Sequence, residues 1–91
     1  MDVVLVSPTG VAVVLMSDAG GGTDIVGLNY TFDDAAAAMA DGALNPQGTY
    51  RPTNFGATDN YPAPGPGSLT QAAPLLSSFT GNPNGTWRLY I

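Results

Sequence analysis

Glycine and proline interrupt this sequence so often that little room is left for long helices. Twelve Gly and eight Pro are spread over 91 residues. Gly lowers the stability of regular elements through its backbone entropy, and Pro removes a backbone donor and fixes φ. Short strands joined by many turns fit this pattern. We therefore predict an all-β chain, and its length allows one domain over residues 1–91.

The charged residues support the same interpretation. All seven acidic residues are Asp, Lys and Glu are absent, and the only basic residues are Arg51 and Arg88. Glu and Lys usually cover the solvent-facing side of helices, so their absence favours strands and loops. The net charge of −5 is opposite to the basic surface that phosphate backbones require. Nucleic acid is therefore not an expected partner.

Few catalytic chemistries are open to this sequence. Without His or Cys there is no catalytic triad, Cys–His pair or imidazole zinc ligand, and without Lys there is no Schiff base. Two adjacent carboxylates, Asp33 and Asp34, remain, but neighbours on a strand point to opposite faces and cannot flank one glycosidic bond. We predict that the chain is not an enzyme.

The sequence also gives no sign of membrane insertion. Its longest apolar run, residues 11–16, is far shorter than the roughly 20 residues that cross a bilayer. The start of the chain lacks the basic and apolar regions of a signal peptide. If the parent protein is secreted, we expect its signal to lie outside this chain.

A β-hairpin is predicted at the start of the chain. Apolar runs at 3–6 and 11–16 flank Ser7-Pro8-Thr9-Gly10, which has Pro and Gly where a type I turn favours them. Ser7 can bond its own backbone in such a turn. Both runs are apolar on both faces, so we expect the two strands to lie between layers.

The rest of the chain is predicted to contain three more strands, two short helical segments and one long loop. The final strand should have Trp87, Leu89 and Ile91 on one face. The 33–42 segment has acids at its start and Gly at its end, as a helix of one or two turns would. A single turn at 74–79 should bury Leu75, Leu76 and Phe79. The strands are predicted at 28–32, 48–52 and 86–91, and the irregular surface loop at 53–68.

The Asp residues around two loops suggest calcium. Asp18 and Asp24 flank the glycine run at 20–22, and Asp33 and Asp34 follow the strand at 28–32. Calcium takes six to eight oxygen ligands, many of them carboxylates on loops. The spacing does not match an EF-hand. The alternative is that these four Asp residues cap turns and the Ala-rich segment.

Five ordered segments resemble one known family. Together they cover the chain nearly end to end, which is more specific than any one segment. The chain resembles the proprotein convertase P domain (P/Homo B domain), in the form found as a module of bacterial extracellular proteins. The segments are Leu5-Val6-Ser7-Pro8-Thr9-Gly10, Leu15-Met16-Ser17-Asp18-Ala19-Gly20-Gly21, Thr31-Phe32-Asp33-Asp34-Ala35, Gly48-Thr49-Tyr50-Arg51-Pro52 and Phe79-Thr80-Gly81-Asn82-Pro83-Asn84-Gly85-Thr86-Trp87.

The resemblance implies a jelly-roll-like, galactose-binding-like β-sandwich of about eight strands. It implies a non-catalytic accessory or interaction module of a secreted or cell-surface protein, whose partners are the neighbouring domains of the parent chain. In convertases the module follows a subtilisin-like serine protease domain and helps it to fold and stay stable. Some family members bind calcium, which supports Asp18, Asp24, Asp33 and Asp34 as ligands. No catalytic residue is implied, because catalysis belongs to the separate domain.

The chain departs from the family in length. Family members have further strands before the first segment and after the Gly-Thr-Trp strand, so we expect a partial sandwich that lacks both. An unpaired apolar strand edge tends to associate, and we expect the isolated chain to be poorly soluble or dimeric. A different class of function also stays open: a carbohydrate-binding module using exposed rings of Tyr50, Phe55, Tyr61 and Tyr90.

Overall fold

The computed structural model describes residues 2–19, 27–56 and 58–91, and it confirms an all-β fold. The predicted glycine loop at 20–22 and Asp24 lie outside these ranges. One 3₁₀ helix, Leu76–Ser78, is present in the described part, which contains no helix long and apolar enough to cross a bilayer. The strands are β1 (Val3–Val6), β2 (Ala12–Ser17), β3 (Tyr30–Phe32), β4 (Gly48–Tyr50), β5 (Thr53–Asn54), β6 (Asp59–Tyr61), β7 (Gly67–Leu69) and β8 (Arg88–Tyr90).

The predicted hairpin at the start of the chain is confirmed. β1 and β2 pair antiparallel, and the Gly10 N–H donates to the Ser7 carbonyl at 3.0 Å to close the turn. Gly10 has φ +88°, a conformation that Gly adopts without a steric penalty. The Ser7 hydroxyl oxygen also accepts from the Val11 N–H, so this side chain bonds its own turn as predicted.

β1 and β2 form the centre of a four-stranded sheet with the order β5-β2-β1-β8. β8 pairs antiparallel with β1, with Leu5 opposite Leu89, which confirms the predicted final strand. β5 pairs parallel with β2. The first and last strands of the described chain, β1 and β8, are therefore direct neighbours in this sheet.

A β-bulge lets the central hairpin serve two cores. Val3 faces Met16 and Val4 faces Val14, so Leu15 is an extra residue on β2. Such a bulge changes the alternation of side chains between the two faces. The first core contains Val3, Leu15, Met16, Ala19 and Met39, and the second contains Val4, Val14 and Tyr61. The prediction that both strands lie between layers is confirmed by this arrangement.

Two small sheets cover the two faces. β3 and β4 pair parallel, and Tyr30 and Tyr50 pack edge to face with ring centroids 5.8 Å apart against the first core. β6 and β7 form an antiparallel hairpin that brings Tyr61 and Leu69 to the second core. The described strands therefore form three layers. The jelly-roll connection order stays a prediction.

The prediction of an irregular loop at 53–68 is wrong. This stretch contains β5 and the β6–β7 hairpin, connected across residues 62–66. Its strands are only two or three residues long and carry little apolar alternation, so periodicity did not reveal them. Phe55 packs against the first core, and Tyr61 and Leu69 belong to the second, so tertiary contacts support these short strands.

The prediction of a helix at 33–42 is also wrong. A single turn forms there, closed by the Ala36 N–H donating to the Asp33 carbonyl. Further along, the Ala37 carbonyl accepts from the Arg51 N–H, and the Met39 N–H donates to Thr53 Oγ1. The backbone groups that a helix would use are thus bonded to β5 and its neighbours.

Asp33 caps the start of the Ala-rich segment, as the alternative to calcium predicted, but Asp34 caps a different element. Asp33 Oδ1 accepts from the Ala35 N–H at 2.9 Å, within its own turn. Asp34 instead reaches across the fold to the start of the 3₁₀ helix, where its two oxygens accept from the Leu76 and Ser77 N–H groups at 2.7 and 2.9 Å. These are charge-assisted bonds to otherwise orphaned donors.

The predicted helical turn at 74–79 is confirmed as the 3₁₀ helix, with one difference in burial. Leu76 packs on the first core, and Phe79 is half-buried against Trp87 with ring centroids 5.1 Å apart. Leu75 is exposed, because a turn this short presents only some of its side chains to the core.

Two distant turns pack on each other. Gly85, at the end of the Asn82-Pro83-Asn84-Gly85 turn, has φ +135°, and a Cβ there would lie 2.7 Å from the Pro8 Cβ. The Trp87 indole N–H donates to the Pro83 carbonyl at 2.9 Å, which holds this turn closed. The turn before β8 is thereby fixed against the β1–β2 turn.

We predict that Gly85→Ala lowers the free energy of unfolding by about 1–3 kcal/mol. The added methyl would meet Pro8, and the positive φ is strained for any L side chain. Gly42→Ala is the matched control, since Gly42 has no atom within 4 Å of a Cβ position. Chemical denaturation measures both. Equal stability of the two variants would contradict the packing of these turns.

We predict that Asp34→Ala lowers the free energy of unfolding by about 1–3 kcal/mol, because two backbone donors lose a charged acceptor. Amide hydrogen exchange should accelerate at Leu76 and Ser77. Asp41→Ala, at an exposed position, should leave both measurements near those of the parent. Unchanged exchange at Leu76 in the Asp34 variant would show that this cap does not form in solution.

Candidate functional site

Three carboxylates meet at the open end of the central hairpin. Carboxylate oxygens of Asp2, Asp18 and Asp59 all lie within 4.8 Å of one another. Asp2 precedes β1 and Asp18 follows β2, so antiparallel pairing makes them neighbours. Asp59 is the first residue of β6 and reaches the same place from the hairpin that covers the second core. We call this group the acidic cluster.

Ser17 holds two members of the acidic cluster in place. Its fully buried hydroxyl lies 3.0 Å from Asp2 Oδ1 and 3.3 Å from Asp18 Oδ2, and it can donate to either oxygen. The Asp18 N–H also donates to Asp2 Oδ1, at 3.3 Å. The orientation of the Asp2 carboxylate is therefore set by β2.

Asp18 has an uncommon backbone conformation and a close neighbour. Its φ is +56°, in the left-handed region that Asp tolerates better than most residues. Gly56 lies beside it, and a Cβ at Gly56 would be 3.0 Å from Asp18 Oδ2. The left-handed turn at Asp18 and the absent side chain at Gly56 together leave room for this carboxylate.

Two buried oxygens beside the cluster have no hydrogen-bond partner. Tyr61 is only 6% exposed, and its hydroxyl bonds to no group of the described residues. Asp59 Oδ2 is likewise buried and unpartnered. Burial raises the pKa of Tyr61 to about 12, with further contributions from the charges of Asp2, Asp59 and Asp18. The Tyr61 hydroxyl therefore lies in the field of the three carboxylates.

Of the three predicted calcium ligands that the structure describes, one belongs to this cluster. Asp18 is a member, but Asp33 and Asp34 bond backbone N–H groups elsewhere. Asp24 lies outside the described residues. Asp2 and Asp59 were missed because they are separated by 57 positions and only the fold brings them together. The sequence signal that could have found Asp2 is its place directly before the first strand.

The cluster offers oxygen ligands and little else. The chain has no His or Cys, so nitrogen and sulfur side-chain ligands of the usual kind are absent from its sequence. Carboxylates with a phenolic hydroxyl suit a hard cation such as calcium or magnesium. Both Arg side chains are assigned elsewhere, Arg51 to a cleft beside β5 and Arg88 to the exposed strand β8.

That cleft is the second candidate site. It has a volume of about 260 Å³ and lies between Arg51, Phe55 and the Pro74–Leu75 segment. Most of its lining is apolar, with Arg51 as its charged group. Its other polar lining residues, Thr53 and Asn54, also hydrogen-bond within the fold, and together with one guanidinium they define no particular ligand.

The rings proposed for sugar binding do not form an exposed platform. Tyr61 is buried in the second core, Tyr90 packs against the same core, and Tyr50 and Phe55 pack against the first. A sugar face needs aromatic rings open to solvent, so the expected exposure is wrong for Tyr61, and the other three rings are only partly exposed. The physical reason is that a small domain uses its rings for its core.

Comparison of the chain with family models, with curated proteins and with solved structures finds no match in any of the three.

Proposed function

We propose that the chain is a non-catalytic interaction module of a secreted or cell-surface protein, and that the free edge of β8 is its docking surface. The observation that carries this proposal is the position of β8. It is the outermost strand of the main sheet and pairs with β1 on one side, while no strand of the described residues pairs with its other side.

The edge of β8 is apolar as well as open. Leu89 is 54% exposed and Ile91 82% exposed, and Trp87 precedes them on the same face. An open edge presents unpaired N–H and C=O groups, which another extended segment can satisfy by adding a strand. Natural edges are often blunted by Lys or Pro; β8 has neither, and its single charge is Arg88.

We propose that the occupant of this edge is an extended strand with apolar side chains, supplied by a neighbouring domain of the parent protein. Main-chain hydrogen bonds would give the affinity, and contacts with Leu89 and Ile91 would select apolar residues at alternate positions. Burial of each of these side chains would stabilise the pairing by roughly 1.5–3 kcal/mol at most.

The resemblance to the P domain supports this role and names a candidate neighbour. Two of the five resembling segments, those around Pro8 and Gly85, pack on each other; the first connects β1 to β2, and the second leads into β8. If the chain is a P-domain-like module, one candidate for this neighbour is a subtilisin-like serine protease domain, which the docking would stabilise; in bacterial surface proteins the family also stands beside other modules.

We predict that the isolated chain self-associates through β8. Light scattering coupled to gel filtration should show a mass that rises with concentration. Leu89→Lys should shift the chain to the monomer, because a charged side chain on an edge opposes strand addition. Leu44→Lys is the matched control: Leu44 is 45% exposed and belongs to the segment between β3 and β4. Thermal unfolding checks that both variants fold.

If the unmutated chain stays monomeric at every concentration, the proposal that β8 is a docking edge is contradicted. Equal loss of association in the Leu89 and Leu44 variants would contradict it as well. The reading frame around the coding sequence tests the neighbour separately. A subtilisin-like domain upstream supports the accessory role in a protease, and another type of domain there excludes that role while leaving the edge as an interaction surface.

A further inference from the structure

We propose that Asp2, Asp18 and Asp59 form a calcium-binding site that joins the β6–β7 hairpin to the open end of the β1–β2 hairpin. The site is independent of the β8 edge. Its ligands come from three separate parts of the chain, before β1, after β2 and at the start of β6.

The spacing of the oxygens fits one shared ion. Calcium binds oxygen at 2.3–2.6 Å, so two ligands on opposite sides of the ion are about 4.6–5.2 Å apart. The three carboxylate oxygens lie within 4.8 Å of one another, inside that span. A single ion between them could therefore contact all three without a rearrangement of the backbone.

The unpartnered oxygens are an independent indication of a ligand. A buried polar atom without a hydrogen bond is costly, and native structures rarely keep one without a function. Here Tyr61, more than nine-tenths buried, carries an unpartnered hydroxyl on which the charges of all three carboxylates act, and Asp59 Oδ2 within the cluster is also buried without a donor. A cation satisfies both, since each offers a lone pair.

The charge of the cluster also requires compensation. Three carboxylates at this distance repel one another, and among the described residues their hydrogen bonds come only from the Ser17 hydroxyl and the Asp18 N–H. Neither donor carries a positive charge. A divalent ion would convert the mutual repulsion into attraction toward a common centre.

The ligand set favours calcium over the transition metals and magnesium. Oxygen-only ligands select hard ions, which excludes zinc and copper as the preferred occupants. Magnesium requires near-ideal octahedral geometry and gives up water reluctantly, whereas calcium accepts irregular sets of six to eight oxygens. Three carboxylates converging from separate segments are an irregular set. We expect a dissociation constant of about 0.1–1 mM, as in extracellular calcium modules.

The test is calcium titration of the full chain by calorimetry, with thermal unfolding in calcium and in EDTA. We expect calcium to raise the melting temperature of the parent. Asp59→Asn keeps the side-chain shape and should weaken calcium binding by about tenfold or more. In EDTA the same variant should melt at or above the parent temperature, because one repelling charge is gone. If Asp59 had only a structural role, Asp59→Asn would lower the melting temperature in EDTA as well as in calcium.

Asp41→Asn is the matched control, since it removes one charge at an exposed position outside the cluster. It should bind calcium as the parent does. Potassium chloride at equal ionic strength tests for simple screening, and magnesium tests for ion choice. Equal stabilisation by potassium chloride would overturn the site. So would unchanged affinity in Asp59→Asn, or equal losses in the Asp59 and Asp41 variants. Tighter binding of magnesium would overturn its assignment to calcium.

Discussion

The pairing of β1 with β2 is the interaction on which the rest of this structure depends. Its bulge at Leu15 distributes large apolar side chains to both faces, so that one hairpin supplies most of two cores. Val4 and Val14 are fully buried under the β6–β7 hairpin, and Val3 and Met16 are buried under the β3–β4 pair. Neither covering layer has enough apolar surface to stand alone. Loss of the central register would therefore remove the support of both layers together.

The same pairing creates the acidic cluster. Antiparallel strands bring the residue before β1 next to the residues after β2, so Asp2 meets Ser17 and Asp18 as a direct consequence of the hairpin register. The covering hairpin then adds Asp59, because Tyr61 two residues later is anchored in the second core. Core packing and cluster geometry are thus linked through β6. The packing of the second core therefore brings together three charges that repel one another at the open end of the hairpin.

Local chemistry in the sequence predicted the elements whose signals are local. The Ser7-Pro8-Thr9-Gly10 turn, the apolar runs beside it and the strand β8 all follow from residues within a few positions of one another. The β6–β7 hairpin could not be predicted in this way, because Asp59-Asn60-Tyr61 and Gly67-Ser68-Leu69 have no clear period and are stabilised by distant contacts. The Ala-rich segment led to a wrong prediction because its local signal for a helix was overridden by distant contacts. Its helix propensity was real, but Arg51 and Thr53 bind its backbone instead.

The candidate site was predictable only in part, and the missing part is explained by charge. Sequence reasoning chose Asp18 because it adjoins a glycine loop, but a cluster drawn from positions 2, 18 and 59 depends on the tertiary fold. One feature of the sequence that bears on the site is its lack of lysine. With only Arg51 and Arg88 as basic side chains, and both beside other elements, the chain has no flexible cation to spare for its acidic groups. Neither Arg is a member of the acidic cluster, so among the described residues the proposed ion is a more consistent partner for the three carboxylates than an internal ion pair.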